Sequence, residues 1–131
     1  MSDFKNLLAV DWGKKYVGLA YQNVGTEVIF PIGFLQNDPS LFFNFGDIIS
    51  RYNIGTILVG YPKNQEDIKK KIDDFISQIE FIINDDVKIK KVNEDYSSVQ
   101  AKYTVGEYKK NETTDTVAAM KILQNYLNEE R

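Results

Sequence analysis

The stretch Leu7-Leu-Ala-Val-Asp-Trp-Gly-Lys-Lys-Tyr-Val-Gly-Leu-Ala-Tyr-Gln22 decides how the rest of the chain is read. An apolar run stops at Asp11. Trp12 and Gly13 follow, then two lysines, then a second apolar run from Tyr16 to Tyr21. Two apolar runs separated by a short glycine-containing segment predict a β-hairpin. The hairpin leaves a carboxylate at the tip of an otherwise apolar strand. A charge in that position needs a partner.

Reading outward, Asn23-Val-Gly-Thr26 forms the next separator, and Glu27 to Leu35 is a third apolar run. The three runs predict an antiparallel meander. Asn37-Asp-Pro-Ser40 is a turn that opens a helix. Leu41, Phe42, Phe45, Ile48, Ile49 and Tyr52 then recur at helical spacing. Gly55 to Gly60 is a short continuous apolar strand, of the kind covered on both faces. Pro62 interrupts the chain. A helical stripe of Ile68, Ile72, Phe75, Ile76, Ile79, Ile82 and Ile83 follows, ended by Asn84-Asp-Asp86. Val87 to Val92 is a fifth strand, partly exposed by Lys88, Lys90 and Lys91. Ser97 and Gln100 have the spacing of a capping box, and Thr114 can cap a last helix carrying Val117, Ala119, Ile122, Leu123 and Tyr126.

The order β-β-β-α-β-α-β-α-α predicts an α/β fold in one domain spanning residues 1–131. It is a five-stranded mixed sheet of order 3-2-1-4-5 with helices on both faces. This element order is that of the ribonuclease-H-like fold.

Composition narrows the chemistry. The 131 residues include no cysteine and no histidine. Thiol nucleophiles, histidine bases, Ser-His-Asp triads and thiolate or imidazole zinc sites are therefore excluded. Carboxylates remain, and they favour hard cations such as Mg²⁺ or Mn²⁺. No disulfide is possible, and neither a secretory leader nor an apolar run of membrane-spanning length is found, so a cytoplasmic location and no membrane partner are expected. The net charge of −3 gives no overall attraction to phosphates, although a local basic patch can act within an acidic chain.

Three carboxylates fall at element ends: Asp11 after the first strand, Glu94 after the fifth, Asp115 at the start of the last helix. In a 3-2-1-4-5 sheet, strands one and five flank strand four and lie about twice 4.8 Å apart. Asp11 and Glu94 can then meet over Gly60. Carboxylates that close repel unless one is protonated or a cation neutralises them. Two divalent ions in such a cage serve in-line phosphoryl displacement without histidine or cysteine. Taken singly, each acid also has a plain structural reading, as turn residue or helix cap.

Four segments together resemble the YqgF/RuvX family, described as Holliday junction resolvases or pre-16S ribosomal RNA nucleases. Ala9-Val-Asp-Trp-Gly-Lys-Lys-Tyr-Val-Gly-Leu-Ala20 is similar to the family's first strand, Asp-x-Gly turn and second strand. Leu58-Val-Gly-Tyr-Pro-Lys-Asn64 resembles its Val-Gly-x-Pro-x-Asn segment. Val92-Asn-Glu-Asp-Tyr-Ser-Ser98 stands where the family has Asp-Glu-Arg and hydroxyl residues. Asp115-Thr-Val-Ala-Ala119 with Ile122-Leu-Gln-Asn-Tyr-Leu127 resembles its last helix. The resemblance implies a ribonuclease-H-like nuclease using Mg²⁺ or Mn²⁺, with Asp11, Glu94 and Asp115 as catalytic and metal-binding acids. The implied substrate is the 5′ end of pre-16S ribosomal RNA or, alternatively, branched DNA. The implied assembly is a monomer or a homodimer. In this chain Asn93-Glu94-Asp95 replaces Asp-Glu-Arg, and the tract Lys109-Lys-Asn-Glu-Thr-Thr114 is less basic than the family's. Both differences leave open a nucleic-acid or ribosome-associated binding module of reduced activity. A phosphotransferase of the actin and sugar-kinase type shares the fold but needs two such domains.

The nucleic-acid-binding candidates are Gly13, Lys14, Lys15, Asn64, Lys102, Lys109 and Lys110. Gly13 serves the turn and also lets a phosphate approach. Lys14 and Lys15 are either backbone contacts or solubilising hairpin residues. Asn64 reads first as the cap of the second helix, with a phosphate or water contact compatible. Trp12, the single tryptophan, either packs against a neighbouring loop or stacks on a base. Lys69, Lys70 and Lys71 read as a solvated helix face.

Overall fold

The computed structural model describes residues 5–26, 28–93 and 112–130, with side chains in the last stretch from 116 to 128. The expected meander is β1 (Asn6–Asp11), β2 (Tyr16–Gln22) and β3 (Ile29–Gln36). Then come α1 (Leu41–Arg51), β4 (Ile54–Tyr61), α2 (Glu66–Glu80), β5 (Lys88–Asn93) and α3 (Glu112–Glu130). The sheet order is β3-β2-β1-β4-β5, as the sequence predicts. β2 runs antiparallel to β1 and β3, whereas β4 runs parallel to β1 and β5.

The period of two along each strand sorts the core onto two faces. Leu8, Val10, Leu19, Ile57 and Val59 face Leu41, Phe45 and Ile48 of α1 and Ile72, Phe75, Ile76 and Ile79 of α2. The residues between them, Ala9, Ala20 and Leu58, join Val92 on the opposite face and meet Ala119, Ile122 and Leu123 of α3. Ala9 and Ala20 are paired across β1 and β2, so small side chains lie side by side under α3. Both open edges are blunted against further strand pairing. The edge strand β3 carries Pro31, and β5 presents exposed Lys88, Lys90 and Lys91.

Three boundaries differ from the sequence reading. α2 stops at Glu80, where Phe81 and Ile82 donate back to Gln78 and Ile79 in a tightened last turn. Phe81 is 88% exposed and Ile82 42%, so the helical part of the stripe ends at Ile79, while Ile83 packs against the core from the turn that follows. The residue capping α2 is Gln65, whose side chain makes no cap hydrogen bond, so Asn64 stands one place too early for the expected cap. α3 already includes Glu112, which puts Thr114 inside its first turn and not at its cap. The helix expected to begin at Ser97 lies outside the described residues. No helix among the described residues is long and apolar enough to cross a membrane.

Two neighbouring phenylalanines test this packing. Phe45 is fully buried, with its ring edge-on to Phe75 at 5.7 Å, whereas Phe43 is 82% exposed. Phe45→Ala is expected to cost about 3–5 kcal/mol in urea denaturation. Phe43→Ala is expected to stay within about 0.5 kcal/mol of the parent.

Candidate active site

The carboxyl ends of three parallel strands define one edge of the sheet. Val10 pairs with Val59, and Asp11 follows at the tip of β1, half-buried and paired across β2 with Gly18. On the other side of β4, Gly60 pairs with Val92 and Tyr61 with Asn93. The ends of β1 and β5 therefore flank Gly60, as the 3-2-1-4-5 order predicts. Asp11 is where the sequence placed it. Glu94, the residue after Asn93, lies outside the described residues, as do Lys102, Lys109 and Lys110. Asp115 belongs to the first turn of α3, and its side chain is likewise outside them. Among the described residues there is no group of three or more acids, histidines or cysteines able to hold a metal ion.

The loop after Asp11 has a fixed shape. A Cβ built on Gly13 would come within 2.5 Å of the Tyr16 carbonyl oxygen, a backbone atom that cannot move without the loop. Asn37, from the turn before α1, clamps the same loop. Its side-chain amide donates to the Gly13 carbonyl at 2.7 Å, and its backbone N–H donates to the Lys15 carbonyl at 2.8 Å. Sequence reasoning read Asn37 only as part of a turn. Its side-chain partner is 24 positions away along the chain, beyond any local pattern. Lys14 and Lys15 are exposed, and Asn64 is exposed in the loop before α2.

A second anchor sits at the start of α3. The pairing of β2 with β3 slips between Leu19 and Ala20, and Gly33 adopts φ of 122°, which only glycine takes readily. The buried Thr116 hydroxyl fills this bulge. It donates to the Leu19 carbonyl at 2.7 Å and accepts from the Gly33 N–H at 3.3 Å. Two backbone groups freed by the bulge are thus satisfied. The clamp also fixes the first turn of α3, one residue after Asp115.

Beside the ends of β4 and β5 lies a cleft of about 240 Å³, lined by Tyr61, Pro62, Lys63, Lys69, Lys91 and Asn93. Lys91 forms an ion pair with Asp73 at 3.0 Å and stands 4.5 Å from the centre of the Tyr61 ring. The Tyr61 hydroxyl donates to the other Asp73 oxygen at 3.1 Å. The Lys91 hydrogen bond holds the Asp73 carboxyl below its ordinary range, aided by Tyr61, and Asp73 in turn raises Lys91. Lys69, read as a solvated residue, pairs with Glu66 at 3.2 Å and lies 5.9 Å from the Tyr61 ring. Trp12 packs against the core cluster, where the sequence suggested a neighbouring loop, and it remains half-buried.

Residues 5–129 match the family described as "RuvX: Holliday junction resolvase". A protein of Malacoplasma penetrans named "Putative pre-16S rRNA nuclease" is 30% identical over 92% of both chains. A protein of the same name from Sulfurihydrogenibium sp. is 30% identical over 92% of this chain and 88% of its own. Two solved structures share the fold at low identity. T. thermophilus RuvC bound to a Holliday junction substrate has a TM-score of 0.65 at 9% identity, covering 97% of this chain and 96% of that one. The fowlpox virus Holliday junction resolvase has a TM-score of 0.65 at 16% identity, covering 95% and 99%.

Two outcomes are expected from this geometry. Thr116→Val keeps the side-chain shape but leaves the Leu19 carbonyl and Gly33 N–H unpaired, so it should cost about 1–3 kcal/mol in urea denaturation. Thr116→Ser should retain most of that stability, with protection of the Gly33 amide against hydrogen exchange preserved. Asp73 has a folded pKa below its unfolded value, so its contribution is present at neutral pH and is lost as pH falls through the lowered folded value. Lys91 is raised, so its share persists until pH climbs through that raised value. Asp73→Asn should therefore be slightly less stable than the parent at neutral pH, and the gap should close as pH is taken below about 3.9. Both groups are half-exposed, and solvent screening keeps the gap small.

Proposed function

The chain belongs to the RuvX family, and we propose that it is a nuclease hydrolysing phosphodiester bonds in structured nucleic acid, with Asp11, Glu94 and Asp115 as its catalytic acids. The observation that carries this reading is the position of Asp11. It ends the central strand of the sheet, on the edge where β5 also ends, with only Gly60 of β4 between them.

The chemistry of the donor set fits Mg²⁺ or Mn²⁺. Asp11 offers hard carboxylate oxygens at a strand tip, and the chain has neither thiolate nor imidazole to compete with them. Asp11, Glu94 and Asp115 would hold the ion. When bound, it supplies neutralisation of the charge that builds on the phosphate oxygens. The protein's part is positioning. β1 is braced by β2 and β4, so Asp11 stands on a rigid support, and Asn37 holds the following loop. With no histidine in the chain, any proton transfer falls to carboxylates, lysines or tyrosines, beside orientation of the scissile phosphate and charge neutralisation. Lys14, Lys15, Lys102, Lys109 and Lys110 serve the flanking phosphates, and Gly13 lets the backbone approach them.

The names of the relatives favour pre-16S ribosomal RNA as substrate, and its 5′ end is the place of cleavage in this reading. The family description favours a four-way DNA junction as the second reading. The test is cleavage of both substrates by the parent and by Asp11→Asn, in Mg²⁺ and in Mn²⁺. Asp11→Asn should lower cleavage by roughly a hundredfold or more while leaving the circular dichroism spectrum and melting temperature unchanged. Undiminished cleavage by that variant would sink the assignment. The substrate cut faster by the parent decides between RNA and junction.

A further inference from the structure

At the end of β1, on the face of the sheet that carries α1 and α2, lies a second cleft of about 430 Å³, reached by Trp12 and Lys14. We propose that this cleft seats one unpaired nucleotide in the flank of the bound strand, with its base stacked on Trp12. That the strand is one to be cut rests on the nuclease reading above.

The cleft has the build of a nucleotide site. Its volume falls within the roughly 300–1,000 Å³ of clefts that bind small ligands. Its floor is apolar: Phe42 and Phe75 meet there with ring centres 5.8 Å apart. Trp12 forms one wall, half-buried, so part of the indole is left to the cleft after it packs on the core. Two cations reach the rim from different elements, Lys14 from the β1–β2 loop and Lys71 from α2, and both are exposed. Asp74 is the single carboxylate among the lining residues. Asn37 and Gln78 add side-chain amides, which can read the mixed donor and acceptor edge of a base. The Asn37 amide N–H is turned toward the Gly13 carbonyl, so its own carbonyl oxygen is the group left to accept.

Aromatic wall, paired cations and amide edge together describe a base with its phosphates. The period of two along β1 turns Val10 toward α1 and α2 and Asp11 toward the α3 face, so a nucleotide on Trp12 lies across the sheet edge from the acid, in the flank of the strand. Pairing state follows from stacking. A base inside a duplex has both faces covered by its neighbours, whereas an unpaired base has a face to give to an aromatic side chain. The cleft therefore selects a strand with an unpaired stretch over continuous duplex.

Trp12 is the only tryptophan, so its fluorescence reports on the cleft directly. The parent protein is titrated at low salt, in EDTA, with octathymidylate and with a blunt DNA duplex of the same length. Quenching by octathymidylate and far less by the duplex is expected. Equal quenching by both, or none by octathymidylate, overturns the proposal. Fluorescence anisotropy of labelled octathymidylate then compares variants that keep the site filled. Trp12→Leu should weaken binding about tenfold or more, and Trp12→Phe should restore it to within about threefold of the parent. Lys71→Gln should weaken binding and lower the slope of log affinity against log salt by about one. A Trp12→Leu variant that binds like the parent also overturns the proposal. The two readings fail separately. Divalent-dependent cleavage lost in Asp11→Asn, with Trp12 unquenched, removes the stacking site and leaves the nuclease. Trp12 quenched by octathymidylate, without cleavage of any substrate, keeps the nucleotide site and removes the nuclease.

Discussion

The hydroxyl of Thr116 ties the last helix to the β2–β3 side of the sheet. It bonds the Leu19 carbonyl and the Gly33 N–H, two groups that a slipped register between β2 and β3 would otherwise leave without partners. The bulge needs a residue that accepts φ of 122°, and Gly33 provides it. The helix then lies across Ala9 and Ala20, whose small side chains sit beneath Ala119, Ile122 and Leu123. Polar anchor and apolar seat thus set the depth and the starting point of α3 together. The backbone position just before Thr116 is that of Asp115. Any chemistry that needs Asp115 near Asp11 depends on this contact between a helix turn and a strand 97 positions earlier.

Such dependence explains what could and could not be read from sequence. The alternation of Leu8, Ala9 and Val10 is local, and so is the glycine-bounded run before Tyr61. Period and turn residues therefore yielded the strands and the placement of Asp11 at a strand tip, and the order of elements along the chain yielded the sheet. The contacts that hold the site still are not local. Asn37 clamps the Gly13 loop from 24 residues away, and Thr116 reaches Gly33 from 83 away. Tyr61, Asp73 and Lys91 come from three different elements. No spacing rule links such residues, because only the fold brings them together. The misplaced end of α2 has a different cause. Ile82 and Ile83 continue the apolar stripe in composition, but the backbone tightens at Phe81, so the stripe outruns the helix.

Charge is arranged along the same lines. The chain is acidic overall, at −3, yet lysines gather near the carboxyl ends of its parallel strands. Several are partly neutralised: Lys91 by Asp73, Lys69 by Glu66. Exposed pairs of this kind contribute little to stability. What they do is hold flexible side chains in place around the Tyr61 ring, which sits within cation–π distance of both lysines. Local order at a sheet edge, and not net charge, is therefore the electrostatic feature that bears on a phosphate partner.

A carboxylate cage treats every phosphodiester alike, because the ion it holds meets only phosphate oxygens. Discrimination between one nucleic acid and another must arise in the flanks. Helical spacing puts Lys71, Asp74 and Gln78 on one side of α2 and Lys69 and Asp73 on the other. The first side closes the cleft with Trp12, and the second borders the cleft with Tyr61 and Lys91. A strand crossing the sheet edge at Asp11 would meet an aromatic, amide-lined cleft on one flank and a cluster of ordered lysines on the other. The first can distinguish a free base from a paired one. The second can hold a backbone whatever its sequence. A nuclease built this way would choose its cleavage point by the structure of the strand, with the acids supplying the chemistry and α2 dividing the two means of recognition.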